Sequence, residues 1–298
     1  MKRCFFLLTF VALLLVSCNL PFSISISANT PIPPTPATNF LVVTATPAVT
    51  VEPLATATSE FVGVEKNLGG VYMKIPACLA GDASGVIVPE ENPGADAPVF
   101  AYLPEYRKIT LTDYPLSGRF FEPMVQVFPV ARYEELAPSV TDTVAQMQQF
   151  LAAKPQIPQN SIPLLPIENA AQIFRAQVSY SDFQNGSGVG FLTQYSQGFD
   201  PVNNNELFYT YQGLTADGKY WLSVFLPVNA SYLQANYDDT DVPDGGIQAP
   251  DLNSSNVDTA YTAYYAAMVQ KLNSTSPDAF LPALECVHSF VQSINVGD

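Results

Sequence analysis

Histidine and tryptophan are almost missing from this chain, whose 298 residues hold one of each, His288 and Trp221. A metal site built on several imidazoles is therefore excluded, and no Cys-x-x-Cys or His-Glu-x-x-His spacing offers zinc an alternative. A Ser-His-Asp triad would have only His288 as its base. No Gly-x-Ser-x-Gly elbow is present, and His288 lies two residues after Cys286 in a helical apolar repeat, so it reads as a packed or capping residue. Basic residues are also scarce, 12 Lys and Arg against 27 Asp and Glu, for a net charge of −15. Nucleic acid is excluded, because phosphate binding needs clustered cations that release counterions. Direct adhesion to anionic headgroups is disfavoured for the same reason. The surplus of acid reads as solubility. The run Gly186-Ser187-Gly188-Val189-Gly190 fails as a nucleotide loop, because Phe191 takes the third glycine position and a strand pattern follows.

What the chain does have begins with its leader. Met1-Lys2-Arg3 is basic, and Phe5 to Val16 is almost unbroken hydrocarbon, the length of a signal-peptide core and too short to span a bilayer comfortably. It ends in Leu15-Val16-Ser17-Cys18, which resembles the lipobox of bacterial lipoproteins. The resemblance implies that residues 1–17 are removed and that Cys18, as the new N-terminus, carries a thioether-linked diacylglyceryl group and an acylated (palmitate-type) amine. Several acyl chains hold a protein to a bilayer where a single chain binds marginally. The expected location is the outer face of the cell membrane. The plainer reading makes Cys18 an ordinary residue beside a conventional cleavage site.

Residues 18–60 form a tether in this reading. From Asn19 to Glu60 there are seven prolines, many threonines and serines, no glycine and no base. Proline removes the backbone donor that helices and central strands need. Extended polyproline II at about 3.1 Å per residue would let this segment reach roughly 130 Å at most. Phe40 to Val43 could pair as a short strand. In a eukaryotic setting the same composition would make an O-glycosylated stalk, and the sequons at Asn185, Asn229, Asn253 and Asn273 would be usable.

A single domain is expected over residues 61–298, since 48% hydrophobic residues suffice for one sizeable core. Strand patterns are read at Gly70 to Ile75, Ser84 to Val88, Val99 to Leu103, Lys108 to Thr112 and Met124 to Val130. Ser139 with Asp142 resembles a capping box, and Val140, Val144, Met147 and Leu151 then share one helical face up to Lys154-Pro155. Gln156 to Pro166 reads as a connection. A four-strand meander follows from Ala170 to Val228. In its first strand Phe174, Ala176, Val178 and Tyr180 share one face, while Arg175, Gln177 and Ser179 share the other. Tight turns are expected at Asn185-Gly186 and at Thr215 to Gly218. A helix with Val257, Tyr261, Tyr264, Tyr265, Met268 and Leu272 on one side comes next, and another is expected from Ser276-Pro277 through Ile294. Strands followed by helices predict an α+β fold, an antiparallel sheet covered on one face by helices.

That element order is similar to PsbP and Mog1-like domains. The stretches Phe183 to Val189, Leu192 to Tyr195 and Phe208 to Tyr220 look like a block found in uncharacterised exported bacterial lipoproteins. This resemblance implies family membership and brings no activity or functional residues.

Two cysteines remain in the domain, Cys78 and Cys286, and an exported chain most simply pairs them; the alternative is two buried thiols. Calcium could be offered oxygens by Asp239, Asp241 and Asp244 in the run Asp238 to Gly245, although a proline stands where an EF-hand has its third ligand. The bland alternative is a solvated linker. Tyr209, Tyr211, Tyr220 and Trp221 could form an aromatic platform for a sugar, or else core and cross-strand pairs. Glu90-Glu91 and Glu134-Glu135 are adjacent acids, which do not establish the facing carboxylates of a glycosidase. The function expected is a membrane-anchored, non-enzymatic domain that binds a protein or glycan of the cell envelope. A hydrolase of envelope polymers and an accessory factor of a membrane complex are the alternatives.

Overall fold

The computed structural model describes residues 62–156 and 161–298. The leader, Cys18 and the whole of the tether, residues 18–60, lie outside the described residues. The described chain opens with a hairpin, β1 (Gly63–Leu68) and β2 (Val71–Pro76), turned by Gly69-Gly70 with both residues at positive φ, 59° and 82°. Such a two-residue turn matches the twist of its strands and suits glycine. Strands β3 (Asp82–Val88), β4 (Tyr106–Thr112) and β5 (Met124–Pro129) follow, then helices α1 (Val130–Leu136) and α2 (Ser139–Ala153). Val99–Ala101, expected in a strand, is a single 3-10 turn, and Leu103 makes only an isolated bridge to Glu91. Pro98 and Pro104 flank this stretch and leave too few backbone donors for a ladder.

The meander forms as expected. After the short β6 (Ala171–Gln172) come β7 (Ala176–Phe183) and β8 (Gly186–Thr193), then the short β9 (Tyr195–Ser196), β10 (Phe208–Thr215) and β11 (Tyr220–Pro227). It is more than half of a larger sheet. Strands β3, β4 and β5 join it through β5 and β11, where Phe128 faces Trp221, giving a seven-stranded antiparallel order β3-β4-β5-β11-β10-β8-β7.

The chain closes with β12 (Asn229–Ala230), α3 (Val257–Ser274), β13 (Phe280–Leu281), α4 (Leu284–Ser293) and β14 (Asn295–Val296), the last pairing with β2. The helix expected from Pro277 onward is therefore interrupted. Pro277–Ala279 is a 3-10 turn, and α4 starts only after Pro282, whose ring and missing N–H stop a helix from running through it.

Helices α3 and α4 cover one face of the sheet, as the fold class predicts. Tyr261, Tyr264, Met268 and Leu272 of α3, with Val287, Phe290 and Val291 of α4, share a core with Val125, Val127, Tyr209, Tyr211, Leu222 and Val224. The opposite face, expected to be polar, is packed too. Phe128, Val189, Phe191, Leu214 and Trp221 there meet Tyr133 of α1, Val140, Val144 and Met147 of α2, and the connection at Ile162 and Leu165. Phe121, Phe208 and Phe225 continue that second layer. A disulfide joins Cys78, in the turn after β2, to Cys286 in the first turn of α4, with Cα atoms 6.1 Å apart.

Candidate functional site

Burial overturns the aromatic platform. Tyr209, Tyr211 and Trp221 are each 0% exposed, and strand alternation sends the two tyrosines into the α3 and α4 layer and Trp221 into the other. Both faces of the sheet are covered, so none of the three can meet a sugar. Each has a packing role instead. The Tyr211 hydroxyl donates to the Ser181 carbonyl at 2.7 Å, and the Trp221 indole donates to Gln212 Oε1 at 2.7 Å. Tyr209 lies over Gly190, where an added Cβ would come 1.9 Å from its Oη. Tyr220 is half-buried under the guanidinium of Arg107, 4.5 Å from the ring centroid.

The proposed calcium ligands are not gathered. Among the described residues no group of three or more His, Cys, Asp or Glu side chains is placed to hold a metal ion. Asp239 accepts the Asn236 N–H at 2.9 Å and so closes a local turn, while Asp241 and Asp244 are exposed on either side of Pro243. The adjacent acids are surface partners: Glu90 takes a two-pronged contact from Arg132, both distances 2.7 Å, and Glu135 takes a third at 2.8 Å.

The feature with the chemistry of a site is a cleft of about 750 Å³ between the sheet edge at β7 and helix α3. Its making begins with a β-bulge. Ala176 pairs with Leu192 and Ser179 with Gly190, three steps against two, and Gln177 takes the extra residue in the left-handed region at φ 52°. The face pattern read from the sequence slips by one at this point. Phe174 and Ala176 stay in the α3 and α4 core, whereas Val178 and Tyr180 turn to the α2 side, where the Tyr180 ring is 5.7 Å from Phe150. The strained residue is tied down. Its N–H donates to Asn273 Oδ1 at 2.6 Å, and its side-chain amide donates to the carbonyls of Leu272 at 2.7 Å and Thr275 at 2.9 Å at the C-terminal end of α3, the first of which also accepts the Thr275 N–H.

Apolar walls come from Ile173, Phe174 and Val178 on the strand side and from Tyr265 and Val269 on the helix. The Tyr265 hydroxyl both accepts from the Asp200 N–H at 3.1 Å and donates to the Asp200 carbonyl at 3.0 Å, which fixes that wall. His288 of α4 lines the cleft beside Tyr209, ring centroids 5.8 Å apart. Neither His288 Nε2 nor Tyr209 Oη, both buried, has a hydrogen-bond partner among the described residues. Burial holds the imidazole below its ordinary value, with Glu285 opposing. Arg175 is the one charged group on the lining, and burial draws its guanidinium down from the usual arginine value. The polar trio Arg175, Gln177 and Ser179, read from the sequence as one strand face, all line this cleft. Their grouping was legible, and so was α3; that α3 would lie opposite them was not.

No protein-family model, no curated protein and no solved structure matches this chain.

Proposed function

We propose that this protein is an exported lipoprotein, held at the outer face of the cell membrane through acyl groups on Cys18, and that its 61–298 domain is a non-enzymatic binding module presenting the cleft between β7 and α3. The run Leu15-Val16-Ser17-Cys18 after a basic and apolar leader carries this reading. The proline-rich tether lets the domain stand away from the bilayer, and the Cys78–Cys286 disulfide suits an oxidising compartment. Its partner is a glycan or protein of the envelope. Binding is favoured over polymer hydrolysis because a carboxylate glycosidase needs two acids facing across its cleft, and no residue lining this one is acidic. Metabolic labelling with an alkyne fatty acid tests the anchor. The wild-type chain should take up label and fractionate with membranes, and Cys18→Ala should lose both properties together. Label retained in the variant, or absent from the wild type, removes the lipoprotein reading.

A further inference from the structure

We infer that the β7–α3 cleft takes a small organic carboxylate, with Arg175 receiving its charged end and the apolar walls receiving its body. The inference rests on the cleft being the binding site, and it does not depend on the lipid anchor.

The described residues contain four arginines, and three are engaged. Arg107 donates to the carbonyls of Gly69 at 3.0 Å and Gly297 at 2.7 Å, Arg119 donates to Asn229 Oδ1 at 3.0 Å, and Arg132 is shared by Glu90 and Glu135. Arg175, half-buried in the cleft wall, makes no hydrogen bond and no ion pair with any described residue. In a chain with 27 acids, an arginine without a carboxylate is not a shortage of partners. A partly desolvated guanidinium is costly until an anion meets it. Its planar fork fits a carboxylate by two parallel N–H···O bonds.

The surroundings narrow the ligand further. No lining residue competes as an acid, and the Gln177 side-chain N–H groups and the Asn273 Oδ1 are already used in tying the strand to the helix. Valine and isoleucine side chains with the Tyr265 ring then leave an apolar bed next to one cation. A volume of about 750 Å³ falls in the range of small-molecule clefts, which run from roughly 300 to 1,000 Å³. The combination selects a monocarboxylate with an apolar or ring-shaped body.

The test uses full-length ¹⁵N-labelled protein in mild detergent, titrated with benzoate, hexanoate and glucuronate, with benzyl alcohol as the uncharged control. The Arg175 Nε–Hε resonance should move saturably with at least one carboxylate while that of Arg107 stays in place. Arg175→Gln should weaken binding of that carboxylate about tenfold or more, and Arg175→Lys by less, because lysine keeps the charge but loses the fork. A response to benzoate or hexanoate alone identifies a free apolar acid, and one to glucuronate identifies a uronate sugar. If no carboxylate moves the Arg175 signal more than the Arg107 signal, the inference fails. It also fails if benzyl alcohol binds wild type and Arg175→Gln alike, though the cleft would then remain a binding site of uncharged specificity.

Discussion

Gln177 reaches 95 residues along the chain to donate its side-chain amide to the Leu272 carbonyl at 2.7 Å, so a bulge in the last strand of the sheet is fastened to the end of α3. A left-handed non-glycine residue persists where its surroundings over-determine it. The same contacts join the strand and the helix that line the cleft.

Gln177→Ala removes two hydrogen bonds, to the carbonyls of Leu272 and Thr275, while keeping the strained backbone; the Leu272 carbonyl retains the Thr275 N–H. A loss of about 1–3 kcal/mol is expected in urea unfolding. Gln177→Gly relieves the backbone strain and should recover part of that loss. Equal midpoints for the wild type and both variants would show that the clamp contributes nothing.

The disulfide closes a span of 208 residues. In the chain-entropy account this corresponds to about 5 kcal/mol as a ceiling, with roughly 2–4 the commoner outcome. A mild reductant should lower the urea midpoint accordingly, and Cys78→Ala with Cys286→Ala should reproduce the lower value. Quantitative thiol labelling of the unreduced, unfolded domain should find neither cysteine free.

Burial holds His288 below its ordinary 6.5, so between those two values the unfolded chain binds the proton and the folded chain does not. The stability contributed by the neutral ring is complete above pH 6.5 and is lost as pH falls from 6.5 toward the folded value, by at most about 1.4 kcal/mol per pH unit. Glu168 and Glu206 are pushed up by burial and act in the opposite sense, regaining stability as pH falls. Comparing wild type with His288→Gln isolates the imidazole. The wild-type curve should fall more steeply below pH 6.5, and parallel curves would refute the assignment.

Gln212 accepts from the Trp221 indole at 2.7 Å and from the Leu165 N–H at 3.2 Å within the second layer. Replacing it by leucine strands two buried donors and should cost about 2–4 kcal/mol. The fluorescence of Trp221 should be blue-shifted and shielded from iodide in the folded wild type, and unchanged by saturating glycans. A glycan-dependent emission change would reopen the aromatic platform.

Local chemistry was enough for much of the fold. Period-two alternation located β7, β8, β10 and β11, helical spacing located α2 and α3, and the two domain cysteines announced their pairing. Each is a short-range pattern, in which a residue's neighbours reveal the face it must bury. Long-range pairing decided the remainder. Nothing near Trp221 says that Phe128 lies opposite it, so the second covered face, and with it the burial of the presumed platform, came only from β5 joining β11. The slip at Gln177 is likewise invisible in its own strand, because a left-handed glutamine is unfavourable until Leu272, Asn273 and Thr275 arrive from the other end of the chain. Arg175 could be read as a polar strand residue. Its lack of an ion pair with any described acid, the property that makes the cleft a candidate site, depends on where the described carboxylates end up in the fold.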